Sequence, residues 1–190
     1  IFDAGDIFQG TPYFNFFQGE LELNLMKKMG YNAATIGNHE FDAGLDILKR
    51  NIINNDFQFI SSNYDFTNTT LEGLVSKYKI YKKQDVKIGV FGLGIELNGL
   101  VNSTLYKETK YYDPIEISNE MTHILKEEEK CDLIICISHL GHNYQDDKIS
   151  DLKLGSLTSD IDLIIGGHTH TLLKKPEIVK NSKNKDVIIN

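Results

Sequence analysis

Gly37-Asn38-His39-Glu40-Phe41-Asp42 leaves the end of a short apolar run, Ala33-Ala34-Thr35-Ile36, that reads as a buried strand. An amide, an imidazole and a carboxylate thus emerge within a few residues of one strand end. In layered α/β folds, strand ends are where ligands bind, because loops there aim side chains into a crevice from a rigid base. An Asn amide oxygen suits a hard divalent ion. The adjacent His39 can face the same crevice without ligating, and Asp42 can either orient His39 or cap the helix that follows.

The same pattern recurs elsewhere in the chain. Ile1 to Ala4 reads as a strand closed by Gly5-Asp6, Leu133 to Ser138 runs into His139-Leu140-Gly141-His142, and Ile161 to Ile165 runs into Gly166-Gly167-His168-Thr169-His170. Of the 6 histidines, only His123 lies outside these loops. Parallel strands bring such loops to one sheet edge. Asp, Asn and His together form a mixed oxygen and nitrogen donor set, suited to Zn, Mn, Fe, Co or Ni rather than to copper or calcium. Asp6, with two carboxylate oxygens, is suited to bridge two ions. His168 and His170 point the same way if their segment is extended. His142 reads as a neighbour of the site or as exposed, and His123 as a surface residue.

The rest of the chain supplies a scaffold. Its 190 residues, 41% hydrophobic and 25% charged, suit a globular unit with a full core. A formal net charge of -7 leaves no basic stripe for nucleic acid, and no apolar run approaches the ~20 residues of a membrane span. Helices are expected over Gly19–Met29, with Leu21, Leu25 and Met29 on one face, and over Gly44–Asn54, with Leu45, Leu48 and Ile52 inward. Further strands are expected over Phe57–Ser62, Tyr78–Lys82 and Val86–Leu93. Asp113-Pro114-Ile115-Glu116 starts a helix running to about Lys130, and Lys148–Leu157 reads as another. The aromatic run Tyr13-Phe14-Asn15-Phe16-Phe17 after a Gly-Thr-Pro turn reads as core or interdomain packing. Lys174 to Lys185 reads as a solvated turn. Cys131 and Cys136, an odd number of residues apart in one apolar run, point to opposite strand faces and form no disulfide. The alternation of strands and helices favours a mixed or largely parallel sheet between helices.

Taken in order, Gly5-Asp6, Gly37 to Asp42, His139-Leu140-Gly141 and Gly167-His168-Thr169-His170 resemble the metallophosphoesterase (calcineurin-like) domain of the 5′-nucleotidase and UDP-sugar hydrolase family. That family's pattern runs D-x-H, G-D, G-N-H-E/D-F-D, H-x-G and G-H-x-H or G-H-x-Q. The resemblance implies an α/β fold: a layered αββα sandwich, of which residues 1–190 form a partial catalytic domain. The D-x-H strand is expected before Ile1, the last strands after Asn190, and a C-terminal nucleoside-gripping domain in the parent or as a separate chain.

The resemblance also implies roles. Asp6 bridges two divalent metal ions, Asn38, His139 and His168 complete the second site, and His170 ligates the first beside the absent D-x-H pair. His39 is the catalytic histidine and Asp42 its orienter. Two ions about 3.5–4 Å apart then clamp a phosphoryl group and direct a water in line at phosphorus. The implied activity is phosphate release from nucleotides, as 5′-nucleotidase, 2′,3′-cyclic phosphodiesterase or UDP-sugar hydrolase, at a periplasmic or otherwise extracytoplasmic location. The alternatives are hydrolysis of another ester on the same centre, as in the related thiosulfohydrolases, and a non-catalytic metal-binding module.

Overall fold

The computed structural model describes residues 1–190 and contains two sheets. The smaller is parallel, with strand order β1 (Phe2–Asp3), β2 (Ala33–Thr35), β3 (Phe59–Ile60). Two helices lie between its first strands, α1 (Pro12–Phe17) and α2 (Glu20–Met29), and α3 (Leu45–Asn55) leads from β2 to β3. A two-stranded ribbon follows later, β4 (Tyr64–Asp65) against β7 (Lys110–Tyr111).

The larger sheet is built around four parallel strands: β6 (Val86–Leu93), β8 (Leu133–Ser138), β9 (Leu163–Gly166) and β11 (Asp186–Ile189). Antiparallel strands close both edges, β5 (Tyr78–Lys83) beside β6 and β10 (Glu177–Lys180) beside β11. The edge strand β5 reads Tyr-Lys-Ile-Tyr-Lys-Lys, and lysines on an exposed edge discourage pairing with another chain. The short α4 (Ser103–Tyr106), α5 (Pro114–His123) and α6 (Asp151–Leu157) complete the chain.

Three apolar clusters define the layers. Ala33, Ile60, Val90, Ile135 and Ile137 pack between the two sheets. Leu23, Leu45, Leu48 and Phe59 belong to the cluster that joins α1–α3 to the outer face of the small sheet. Ile134, Cys136, Met121 and Leu154 join α5 and α6 to the outer face of the large one. β8 shows why its sequence is continuously apolar: Ile135 and Ile137 face the other sheet while Ile134 and Cys136 face helices, so both faces are covered. The fold is therefore the αββα sandwich, with two stacked sheets where the alternation of elements favours one mixed or largely parallel sheet between helices.

Several local expectations are corrected. Pro12 opens α1 instead of ending a turn, and of its aromatics only Phe14 is buried, with Tyr13, Phe16 and Phe17 exposed. In α2 the buried face carries Leu23 and Met26, while Leu25 and Met29 are exposed. Residues 174–185 contain strand β10. Cys131 precedes β8 and shares the cluster of Cys136, so strand alternation does not separate them; both are free thiols and buried. The α5 helix widens into a π turn at Ile124–Glu128 before it ends. The inward face of α3 is as expected, with Leu45, Leu48 and Ile52 buried.

Candidate metal centre

β1, β2, β8 and β9 deliver their following loops to one place, where the carboxyl ends of strands from both sheets meet. The loops after β1 and β2 touch backbone to backbone: a Cβ on Gly5 would lie 2.7 Å from the Gly37 nitrogen, and one on Gly37 2.5 Å from Asp6 Oδ1. Only glycine permits this approach at both positions. Asp6, His168 and His170 have left-handed backbones, with φ of 61°, 70° and 51°. That conformation costs an L-residue roughly 1–2 kcal/mol, and such strain is concentrated where function demands a particular aim.

Asp6 is the hub. Its Oδ1 accepts the His39 N–H at 2.9 Å, and its Oδ2 lies 2.9 Å from His139 Nε2. Donor atoms of Asp6, His139 and His168 all lie within 4.8 Å of one another. His139 has no exposed surface, and its Nδ1 donates to the Ala4 carbonyl at 2.5 Å. A backbone carbonyl on Nδ1 fixes ring orientation and tautomer and leaves the Nε2 lone pair facing the centre. At 2.9 Å from Asp6 Oδ2, Nε2 nevertheless has no hydrogen-bond partner. Two buried acceptors so close require positive charge between or beside them, a proton or a metal ion.

Electrostatics agree with a cation site. Burial pushes the Asp6 carboxyl up, but the His139 ring and the His39 N–H outweigh it and hold it below the ordinary carboxylate range. Burial pulls the His139 ring down, yet Asp6 outweighs that and raises it above the usual histidine value. Burial, then the neighbouring His139, lowers His168 to about 4, so its ring stays neutral with a lone pair available.

Asn38 is 7% exposed, and its Oδ1 is buried without a hydrogen-bond partner. An orphaned amide oxygen costs about 1–3 kcal/mol, a cost that a cation ligated there removes. His170 lines the same cavity of about 370 Å³ as Asp6, His139 and His168 but stands outside their close triad. His142 lines the cavity as well, as a neighbour of the cluster: its N–H donates to Thr169 Oγ1 at 3.0 Å, and its ring is 3.4 Å from Glu177 Oε1. His123 is exposed on α5.

The His39 ring is half-exposed, and its Nδ1 is 2.6 Å from Asp42 Oδ2. Burial lowers this imidazole, but Asp42 and the Asp6 charge outweigh it, so the ring holds its proton more strongly than free histidine. Glu40, given no role from the sequence, is fully buried and receives the N–H groups of Asp6, Ile7, Phe8 and Gly37. Its signal was the spacing Gly37-x-x-Glu40, which lets a carboxylate fold back onto a backbone donor three residues earlier, as in a capping box.

The fold and this donor set define a layered α/β protein with a cluster fit to hold a divalent ion. The chain belongs to the calcineurin-like phosphoesterase family, whose profile matches residues 1–172; members of this family use divalent metal ions. It is 35% identical to the trifunctional nucleotide phosphoesterase protein YfkN of Bacillus subtilis, over 96% of this chain and 14% of that protein. It is 33% identical to a 5′-nucleotidase of Vibrio vulnificus, over 96% of this chain and 34% of that protein. A solved structure of a 5′-nucleotidase precursor from Thermus thermophilus superposes with a TM-score of 0.88 at 31% identity, covering 100% of this chain and 38% of that one. The chain thus spans well under half the length of these relatives.

Proposed function

We propose that this chain carries the catalytic part of a metal-dependent phosphohydrolase that releases phosphate from nucleotides. The observation that supports it most is the buried, unpartnered His139 Nε2 2.9 Å from the Asp6 carboxylate, with a second orphaned acceptor, Asn38 Oδ1, on the adjoining loop. Asp6, Asn38, His139 and His168 would hold one divalent ion, and Asp6 with His170 part of the shell of a second. Ligands and a nucleoside-gripping domain from outside residues 1–190 complete the reading, as does an extracytoplasmic location. No helix is long and apolar enough to cross a membrane.

Divalent ions held there would supply Lewis-acid polarisation of a phosphoryl oxygen and would acidify a water as nucleophile. The chain's own residues do the rest. Asp42 takes the Nδ1–H of His39, which leaves Nε2 as the exposed end of the ring. With its Nδ1 held by Asp42, His39 turns Nε2 toward the leaving oxygen of the ester or the charge developing on the phosphoryl group. The Asp6 bond from the His39 N–H fixes the distance between the acid and the metal-binding carboxylate. A non-catalytic metal module has no use for an oriented, half-exposed His39–Asp42 pair, which favours the enzymatic reading. Nucleotides are the favoured ester because YfkN and the Vibrio protein are named for them.

The test is His39→Ala in the full-length, Mn²⁺-loaded protein, followed by phosphate release from a nucleoside 5′-monophosphate and by metal analysis. Release should slow by about 10²–10⁴-fold with metal content unchanged. Undiminished turnover would remove His39 from the mechanism, and a full-length wild type that releases no phosphate would sink the reading.

A further inference from the structure

Glu40 has no exposed surface and no part in the chemistry above. Its Oε2 accepts the N–H groups of Asp6 at 2.9 Å and Gly37 at 2.6 Å, and its Oε1 accepts those of Ile7 at 2.6 Å and Phe8 at 3.3 Å. An ionised carboxylate offers about four lone-pair directions, and here backbone donors match that number. Three successive amides of the loop after β1 converge on one anion, as they do in the concave nests that bind phosphate or sulfide. In this chain the anion is internal, and it arrives from the loop after β2.

This arrangement joins the two loops that carry Asp6 and Asn38. Asp6 sits at φ 61°, a conformation a non-glycine residue keeps only where its surroundings over-determine it. The N–H on one side of Asp6 goes to Glu40 Oε2, and the next two amides go to Oε1, so the strained residue is held by its own backbone and its neighbours'. Gly37, directly before Asn38, is held by the oxygen that holds Asp6. The bidentate carboxylate therefore sets the separation of the two loops, and with it that of the Asp6 and Asn38 side-chain oxygens.

The geometry points to Glu40 as a positioning residue: an internal anion that locks Asp6 in its left-handed backbone and presets Asp6 and Asn38 for a divalent cation. The inference rests on the metal-site reading above but not on hydrolysis. Glu40 touches neither substrate nor ion, so its effect is read in metal affinity and in the protection of particular amides.

Glu40→Gln is the informative variant. It keeps the shape but puts an NH₂ group where one oxygen faces two N–H donors, so half of the cradle is lost. Mn²⁺ affinity is measured by calorimetric titration, at a temperature where circular dichroism shows the variant folded. Affinity should fall by about 10–100-fold, the usual effect of removing a partner that orients a ligand. Hydrogen exchange should quicken at Asp6, Ile7, Phe8 and Gly37 while Ile135 and Cys136 in β8 stay protected. Unchanged Mn²⁺ affinity in the folded variant would overturn the inference, because a merely structural glutamate lowers stability without touching affinity.

If Glu40→Gln does not fold, Glu40→Asp retains both acceptor oxygens on a shorter stem and should fold with weakened Mn²⁺ binding; wild-type affinity there overturns the inference equally. In the wild type itself, rapid exchange of the four amides would refute it without any variant. Glu40-dependent Mn²⁺ binding without phosphate release would refute the phosphohydrolase and leave this inference standing.

Discussion

Asn38 and Asp151 show how single buried polar groups set opposing demands on this chain. Asn38 Oδ1 is buried without a partner, so Asn38→Ala should be neutral or stabilising in chelator, by up to about 1–3 kcal/mol. The same variant should bind Mn²⁺ more weakly; urea unfolding with and without the ion reads both effects, and unchanged affinity would remove Asn38 from the donor set. Asp151, 1% exposed, accepts the Ser138 hydroxyl at 2.5 Å, and burial pushes its carboxyl up to about 7 despite that bond. The folded state keeps this proton between about pH 4 and 7 while the unfolded chain releases it, so this group's contribution to stability falls as pH rises through that window. Asp151→Asn has no proton to lose, and its stability relative to wild type should improve between pH 4 and pH 8 by up to about 3–4 kcal/mol. A pH-independent difference in urea midpoints would show that Asp151 is not held protonated. At this scale the sequence was most legible where chemistry and position coincided: Asp6, Asn38, His139 and His168 are metal-competent types directly after apolar runs, and the structure gathers their loops. Glu40 was illegible because a glutamate in a polar loop has a solvated reading of equal quality, and only the fold shows backbone donors from a loop 32–34 residues away around it.

Among the elements, α5 is the one whose beginning is written most plainly. Asp113 Oδ1 accepts the N–H groups of Ile115 at 2.8 Å and Glu116 at 3.0 Å, with Pro114 at the first helical position. Asp113→Ala leaves both donors without this partner and should cost about 0.5–2 kcal/mol in thermal or urea unfolding, with Mn²⁺ affinity unchanged. A loss confined to affinity would contradict a capping role. In α3, Leu45, Leu48 and Ile52 fall at helical spacing and are buried, together with Asn51 and Asn55. In α2 the apolar residues Leu21, Leu23, Leu25, Met26 and Met29 occur on more than one face, so spacing alone did not choose between them. Packing against α3 and α1 selected Leu23 and Met26. Truncating the two kinds of position separates them: Leu23→Ala should cost about 2–5 kcal/mol by opening a core cavity, while Leu25→Ala, half-exposed, should cost a small fraction of that. Equal losses at the two sites would reverse the assignment of the buried face. The α1 helix was missed for a related reason: Gly-Thr-Pro signals a turn, and a proline also starts a helix, with Phe14 the single buried aromatic that holds it.

For the molecule as a whole, the decisive feature is that the proposed ligands come from both sheets. Asp6 and Asn38 follow strands of the three-stranded sheet, and His139 and His168 follow strands of the six-stranded one. Between the sheets lies an apolar layer whose buried members are Ala33, Ile60, Val90, Ile135 and Ile137. An ion bound at the strand ends therefore ties the two halves of the sandwich across their shared rim, and it binds the folded state only, because the unfolded chain does not gather residues 6, 38, 139 and 168. Mass action then adds about 2.7 kcal/mol at a Mn²⁺ concentration 100 times the dissociation constant. For a domain of this size each kcal/mol is worth about 2–4 °C, so saturating Mn²⁺ should raise the unfolding temperature by roughly 5–10 °C over chelator. His168→Ala removes the large sheet's more accessible ligand and should abolish most of that rise while leaving the chelator value close to wild type. Probes placed on α3 and on α5 should report one transition that moves with the ion, since the tie couples the layers they cover. A melting temperature indifferent to Mn²⁺ would mean that no ion spans the two sheets and that the cluster of Asp6, His139 and His168 is held together by a proton instead, and a rise retained in His168→Ala would remove His168 from the ligands that make the tie.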